Sequence, residues 1–177
     1  AAEAYLNRAG EMGVAKAWET LAEGAMYGYL GGGKVSRAKY QGYADRAVAA
    51  GSGRIAVLEA NRLMWGILEP ASGPKTLALL KQAADAGNAD AARFLIGLTR
   101  DGNKYNIRRD PDAAAAHLAS YTPLLKQPEV WGYGITIQAA RARDSGAYQA
   151  VAQALDAHPE WVSKWLGQEL FKANQNL

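Results

Sequence analysis

The chain has 177 residues, of which 49% are hydrophobic and 21% are charged, a composition typical of a folded domain or a short repeat array. Its net charge of +3 comes from interspersed acidic and basic residues, so charge alone does not indicate a nucleic-acid or membrane partner. We expect no nucleic-acid partner and no insertion of this chain into a membrane. The sequence has no cysteine, which excludes disulfide frameworks, thiolate metal sites and cysteine nucleophiles.

Glycines recur at regular spacing in the first two thirds of the chain. Three of them, at intervals of 38 and 36 residues, each close an alanine-containing segment: Gly13, Gly51 and Gly87. A second glycine follows each by fifteen residues: Gly28, Gly66 and Gly102. Apolar residues lie between them at three- and four-residue spacing, which is typical of amphipathic helices. The pattern predicts repeats made of a helix, a loop, a second helix and a glycine turn.

In chain order, we predict a single helical-repeat domain, 1–177, divided into a partial repeat, three full repeats, a degenerate pair and a capping helix: 1–13, 14–51, 52–87, 88–122, 123–157 and 158–177. Proline after Asp110, Gly73 and His158 marks helix starts. The segment Trp131–Ile137 is left open between helix and strand, because it is rich in β-branched residues. In the last helix, Trp161, Trp165 and Leu166 are expected to cover the open end.

One segment resembles a known repeat family. The stretch KQAADAGNADAARFLIGLTRDGNKYNIRRDPDAAAAHLASY, residues 81–121, resembles the Sel-like repeat, a relative of the tetratricopeptide repeat. The two preceding repeats match more loosely, and the sequence after Pro123 barely matches. The resemblance implies an all-α fold, an α/α solenoid of antiparallel helix pairs with about nine helices. It also implies a protein-binding scaffold or adaptor of the bacterial envelope, as in exopolysaccharide export or envelope signalling, with the periplasm favoured over the cytoplasm.

The stretch GYLGGGKVS resembles a phosphate-binding loop. The spacing of Gly28, Gly33 and Lys34 fits most of that motif, but Val35 occupies the position of the magnesium-binding hydroxyl. A phosphate loop follows a strand, whereas here a helix is predicted to precede it. A nucleotide-binding regulator that uses the Gly28–Lys34 loop is therefore the weaker alternative.

No catalytic constellation is evident, so we expect a protein that is not an enzyme and has no cofactor or metal. The two histidines, His117 and His158, lack partners at metal-ligand spacing. The acid pair Glu19 and Glu23 is typical of a solvated helix face, and no serine lies in a nucleophile elbow.

Two groups of residues are candidates for partner binding. Aromatic and cationic side chains lie near the glycine loop and in the following repeat: Tyr27, Tyr29, Tyr40, Tyr43, Arg62 and Trp65. The second group, Tyr105, Arg108 and Arg109, lies in the loop of the third repeat. Both could contact another protein, and an exposed aromatic groove could contact polysaccharide. The alternatives are core packing for the aromatic residues, and for the loop a solvated segment pairing with Asp101 and Asp110.

Overall fold

The computed structural model describes residues 1–30 and 32–175, and those residues are all-helical. About 75% of the chain is helix, with no strand among the described residues. The prediction of an all-α fold is confirmed, with ten α-helices in the described ranges: α1 Ala2–Glu11, α2 Ala15–Tyr27, α3 Arg37–Ala49, α4 Gly53–Trp65, α5 Gly73–Asp85, α6 Ala89–Asp101, α7 Pro111–Tyr121, α8 Gln127–Ser145, α9 Tyr148–Asp156 and α10 Lys164–Asn174. Two short 3-10 helices, Thr122–Leu124 and Pro159–Trp161, connect the later elements. Within the described ranges, no helix combines the length and apolar character needed to cross a membrane.

The glycine pattern sets the helix ends. Helices α2 to α6 each have 13 residues. The glycines after α2, α4 and α6 have positive φ angles of 78°, 75° and 63°: Gly28, Gly66 and Gly102. The turns after α1, α3 and α5 contain the other three, with φ angles of 95°, 94° and 96°: Gly13, Gly51 and Gly87. Because only glycine adopts these angles without steric cost, the spacing of glycines predicts the spacing of helices.

Polar side chains mark the helix starts. Side-chain oxygens that accept a hydrogen bond from a backbone N–H three residues later include those of Ser36, Ser52, Asn88, Asp110 and Ser163. The predicted starts at Gly73 and after Asp110 are confirmed. The last helix is corrected: Pro159 opens only a 3-10 turn, and α10 begins at Lys164, where Ser163 supplies the cap.

The contacts divide the chain into two compact units. Unit 1 comprises residues 1–71 and 75–91, and unit 2 comprises residues 72–74 and 92–177. In unit 1, α2 packs against α1 and α3, and α3 packs against α4. In unit 2, α8 packs against α7, α9 and α10. That the whole chain forms one repeat domain stays a prediction.

The sequence after Pro123 forms the helices α8 and α9, and that they are a degenerate repeat stays a prediction. Trp131–Ile137 lies inside α8, where Tyr133, Ile135 and Ile137 are buried, so the question of helix or strand is settled as helix. Leu166 is buried in α10, and the ring of Trp165 lies over the backbone of Gly132. The last helix, α10, therefore packs on α8, and its role as the cap of a repeat array stays a prediction.

Each unit contains hydrogen bonds between side chains that are 36 residues apart in the sequence. In unit 1, Lys39 bonds to Glu3 at 3.0 Å and Asn7 to Tyr43 at 3.2 Å, each pair 36 residues apart. In unit 2, Arg93 bonds to Glu129 and Arg100 to Thr136, both at 2.7 Å and again 36 residues apart. This common spacing is compatible with the neighbour-to-neighbour packing of helical repeats.

Candidate functional site

A pocket in unit 1 is the main candidate site. It has a volume of about 400 Å³. We call it the unit 1 pocket, and its lining residues come from the end of α2, the loop and start of α3, one face of α4 and the segment after α4: Met26, Val35, Ser36, Arg37, Tyr40, Leu58, Asn61, Arg62, Ile67 and Leu68. Concave, mostly apolar sites with a few polar groups are the usual form of a binding site.

The apolar lining residues are unusually exposed. Val35 is 65% exposed and Ile67 is 56% exposed, and the side chains of Leu58 and Leu68 are exposed as well. Isolated apolar residues on a surface need no explanation, but several around one concavity indicate a surface that another molecule covers.

The backbone at Leu68 is strained. Its φ angle is 74°, and it is the one non-glycine residue with positive φ among the described residues. A branched side chain in this conformation costs about 1 to 2 kcal/mol. Such strain persists where surrounding structure enforces it, and it is concentrated at ligand-binding segments. Here it holds an apolar side chain at the pocket.

A buried polar cluster forms the floor of the pocket. The Tyr40 hydroxyl donates to Glu59 Oε1 at 2.6 Å, and Arg62 donates to both oxygens of Glu59, at 3.0 and 2.8 Å. Arg62 Nη1 also donates to the backbone oxygen of Ile67 at 3.2 Å. The same guanidinium therefore neutralises a buried carboxylate and holds the segment that lines the pocket mouth.

The pKa directions agree with this hydrogen bonding. Burial, and then the hydrogen bond to Glu59, raise the pKa of the Tyr40 hydroxyl. Burial alone would raise the pKa of Glu59, but the hydrogen bonds from Arg62 and Tyr40 outweigh it and hold that pKa below its ordinary value. Glu59 is thus an ionised acceptor, and the floor is organised before any ligand arrives.

Three candidates for partner contact are buried in unit 1. Tyr40 and Arg62 belong to the pocket floor. Tyr43 stacks on Trp18 with ring centroids 6.2 Å apart, and its hydroxyl donates to Glu3 at 2.6 Å. The packing alternative describes Tyr43, because its ring packs on Trp18 and its hydroxyl has internal partners. Tyr40 and Arg62 line the pocket, so their contact with a partner stays a prediction.

The other aromatic candidates of unit 1 are exposed. Tyr29 is 78% exposed, and Tyr27 and Trp65 also lie at the surface. The rings of Tyr27 and Tyr29 are 5.8 Å apart, and Tyr27 follows the pocket residue Met26 directly. These tyrosines extend the exposed apolar surface at the α2 end of the pocket.

The loop candidates of unit 2 also differ from one another in exposure. Tyr105 and Arg108 are exposed, whereas Arg109 is half-buried. Arg109 donates to Asp144 at 2.9 Å and to the backbone oxygen of Ala140. The expected pairing of this loop with Asp101 and Asp110 is corrected.

Each of the two aspartates has another role. Asp101 accepts both of its hydrogen bonds from Arg100, at 2.7 Å each. Asp110 caps α7 by accepting from the backbone N–H of Ala113 at 3.0 Å. The loop arginines are therefore not neutralised by the acids nearest to them in sequence, and Arg108 stays at the surface with its charge.

The glycine loop follows a helix, as the sequence predicted. Gly28 ends α2 in a left-handed conformation and donates to the backbone oxygen of Gly24. The loop folds back so closely that a Cβ on Gly28 would lie 2.6 Å from the carbonyl oxygen of Gly33. A phosphate-binding loop directs backbone N–H groups at the phosphate, whereas the group that lies against Gly28 here is a carbonyl oxygen. Gly31, within the proposed Gly28–Lys34 nucleotide loop, lies outside the described residues.

The histidines have aromatic neighbours. His117 stacks on Tyr121 at 6.2 Å, and His158 stacks on Trp161 at 4.0 Å and pairs with Glu160 at 2.9 Å. Among the residues that the structure describes, no three His, Cys, Asp or Glu side chains are grouped so that they could hold a metal ion.

A second cavity, of about 410 Å³, lies in unit 2 and is lined by Arg93, Pro128, Glu129, Trp161, Ser163 and Trp165. Arg93 donates to both oxygens of Glu129, at 2.7 and 3.2 Å. A planar ion pair therefore lies beside two indole rings. We call this cavity the unit 2 cleft.

Sequence reasoning missed most of the lining of the unit 1 pocket. Val35, Ile67 and Leu68 lie in segments between helices, where apolar periodicity gives no signal. One signal was available: Ile67 and Leu68 are apolar immediately after the glycine that ends α4, a position where a solvated loop would carry polar residues. Arg62 has Glu59 three residues earlier, the spacing of an intrahelical ion pair.

Comparisons of the chain with protein-family models, with curated proteins and with solved structures give no match. The resemblance to Sel-like repeats therefore rests on the sequence alone. What the site does must be argued from its geometry and chemistry.

Proposed function

We propose that this chain is a non-catalytic binding module that holds a segment of another protein in the unit 1 pocket, as a scaffold or adaptor within a larger complex. The observation that carries the proposal is a 400 Å³ pocket whose apolar lining, led by Val35 and Ile67, lies open to solvent. Covering exposed apolar surface is the main source of binding free energy in protein association.

The surroundings of the pocket favour a protein as the ligand. Tyr27 and Tyr29 are exposed beside it, and aromatic side chains are enriched where proteins bind each other. The floor of Tyr40, Glu59 and Arg62 has its hydrogen bonds already made, so binding does not have to order it. A preorganised site loses less entropy when its partner binds.

The resemblance to Sel-like repeats supports the same proposal. Repeats of that kind act as adaptors, and the helical architecture found here is compatible with them. By that resemblance, the complex would belong to the bacterial envelope, for example to exopolysaccharide export or envelope signalling.

The test combines partner capture with pocket variants. The chain would be used as bait in envelope and cytosolic extracts of the cells that produce it, beside the variants Val35→Asp and Ile67→Glu. Met12→Glu is the matched control, because Met12 is an exposed apolar residue of unit 1 outside the pocket. We expect a stoichiometric protein partner that is lost with both pocket variants and retained with the control. A partner retained equally by all four baits would overturn the proposal.

Polysaccharide binding is the second candidate, and the unit 2 cleft is the observation that favours it. Trp161 and Trp165 supply flat apolar surface, and the Arg93–Glu129 pair supplies donors and acceptors in a plane. Titration of the tryptophan fluorescence with neutral and acidic oligosaccharides tests this, with Trp161→Ala compared with Phe171→Ala, which alters an exposed aromatic residue outside the cleft. An unchanged spectrum at millimolar oligosaccharide would exclude this candidate.

A further inference from the structure

The charges that line the unit 1 pocket are all positive. Among the residues that the structure describes, the only charged side chains in its lining are Arg37 and Arg62. Arg62 is neutralised by Glu59 at 2.8 Å beneath the floor. Arg37 is exposed, and no hydrogen bond or ion pair joins its side chain to another described residue. The pocket therefore presents one uncompensated guanidinium beside an apolar surface.

The backbone adds to this positive potential. Ser36 and Arg37 are the N-cap and first residue of α3, and both line the pocket. The N-terminal end of a helix carries partial positive charge. Lys34, two residues before the cap, is exposed. Among the described residues, the lining itself contains no carboxylate, and Glu59 and Glu69 pair with Arg62 at 2.8 and 3.9 Å.

Asn61 supplies a further polar group. Its side chain is half-buried in the pocket lining and has no hydrogen-bond partner among the described residues. An amide can donate to a carboxylate or pair with a peptide backbone. A half-buried amide with nothing to bond gains most when a ligand supplies the missing partner.

We propose, resting on the function proposed above, that the unit 1 pocket selects a peptide segment in which a large apolar residue neighbours a carboxylate. The apolar side chain fills the space among Met26, Leu58 and Leu68. The carboxylate, from Asp, Glu or a chain terminus, pairs with Arg37 at the start of α3. Arg37 is then a specificity-determining residue, since an arginine–carboxylate pair gives direction as well as attraction.

The experiment uses four fluorescent peptides of one length and measures anisotropy with the full chain at 50 and 300 mM NaCl. One peptide contains Leu followed by Glu, a second replaces Glu with Gln, and a third replaces Leu with Ala. The fourth ends at Leu with a free carboxylate, which separates a terminal from a side-chain source. Arg37→Gln is the test variant, and Arg8→Gln, an exposed arginine of α1 outside this pocket, is the charge-matched control.

We expect the Leu–Glu peptide to bind at least tenfold more tightly than the Leu–Gln and Ala–Glu peptides, with the Glu preference reduced at high salt. Arg37→Gln should make the Glu and Gln peptides equal, and Arg8→Gln should leave the preference unchanged. In the labelled chain, the Asn61 side-chain amide resonance should shift on binding. Equal binding of the Glu and Gln peptides to the unsubstituted chain, or no binding of any peptide, overturns the inference.

The inference and the function on which it rests fail in different ways. The Val35→Asp and Ile67→Glu variants could lose all peptide binding while the unsubstituted chain binds the Glu and Gln peptides equally. That result would support a binding pocket at this position and contradict its selectivity for a carboxylate. A natural partner that still binds both pocket variants would remove the proposed function itself, whatever the peptides do.

Discussion

Arg100 and Thr136, 36 residues apart, are joined by a hydrogen bond of 2.7 Å from the guanidinium Nη1 to the hydroxyl oxygen. The Arg100 side chain is fully buried. It also pairs with its neighbour Asp101 at 2.7 Å and with Glu169 of α10 at 2.8 Å. One side chain thus connects three helices of unit 2.

Removing this guanidinium should be costly. We expect Arg100→Ala to lower the free energy of unfolding by about 3 to 5 kcal/mol, because it leaves a buried carboxylate without its partner. Arg141→Ala, which breaks an exposed pair with Asp112, should cost less than about 1 kcal/mol. Urea unfolding at neutral pH, followed by circular dichroism, measures both. Similar midpoints for the two variants would show that the buried network adds no stability.

Two glycines of α8 should respond to alanine with opposite signs. A Cβ on Gly132 would lie 2.7 Å from the Trp165 ring, so Gly132→Ala should destabilise by about 1 to 3 kcal/mol. A Cβ on Gly134 would meet nothing within 4 Å, so Gly134→Ala should stabilise by about 0.5 to 1 kcal/mol through better helix propensity. Thermal unfolding of both variants tests the packing of α10 on α8. Equal shifts of the melting temperature in the two variants would contradict this packing.

The turn glycines differ in the space around them. Both Gly87 and Gly102 have positive φ, but a Cβ on Gly87 would be free of contacts, whereas one on Gly102 would lie 2.5 Å from the Arg109 nitrogen. We expect Gly87→Ala to cost about 1 to 2 kcal/mol from the left-handed backbone alone. Gly102→Ala should cost more, because the loop to Arg109 must also move. Chemical denaturation of the two variants shows which substitution lowers the free energy of unfolding more. A larger loss in Gly87→Ala than in Gly102→Ala would contradict this loop conformation.

Glu59 should make stability depend on pH in the acid range. Its pKa in the folded chain lies below the ordinary value, so the folded state binds fewer protons than the unfolded state. The stabilisation is therefore complete above the ordinary carboxyl range, and is lost as pH falls through that range and through the folded pKa. We expect Glu59→Gln to lower the free energy of unfolding at neutral pH. We also expect this free energy to fall less steeply between neutral and acid pH than it does in the unsubstituted chain.

Denaturation series at several pH values measure this dependence. Glu11→Gln, which alters an exposed carboxyl of α1, serves as the control and should leave the slope of stability against pH unchanged. An equally steep slope in Glu59→Gln and the unsubstituted chain would show that the floor of the pocket does not titrate on unfolding.

The helices could be predicted because their ends are local. Glycine in the left-handed region and a capping side chain act within four residues, so Gly66 and Asp110 carry their signal in the sequence. The ambiguity at Trp131–Ile137 was resolved by tertiary packing, since burial of β-branched residues against neighbouring helices overrides their weak preference for strand.

The pocket could not be predicted from the same signals. Its walls combine residues such as Val35 and Leu68 that are distant in sequence and lie outside helices, so they share no period. The burial of Arg62 follows from its contact with Ile67 and Glu59 in the folded chain. Such a cluster depends on how three segments meet, which no local pattern encodes.

The amide of Asn88 has a consequence for how unit 1 opens. Its oxygen accepts from the N–H of Ala91 at 2.9 Å, and its nitrogen donates to the carbonyl of Gly51 at 2.7 Å. Aspartate could make the first bond but not the second, because a carboxylate has no group to donate. The first turn of α6 and the turn that ends α3 therefore cannot fray independently. Amide exchange at these two turns should be concerted, and Asn88→Asp should uncouple them while each helix persists.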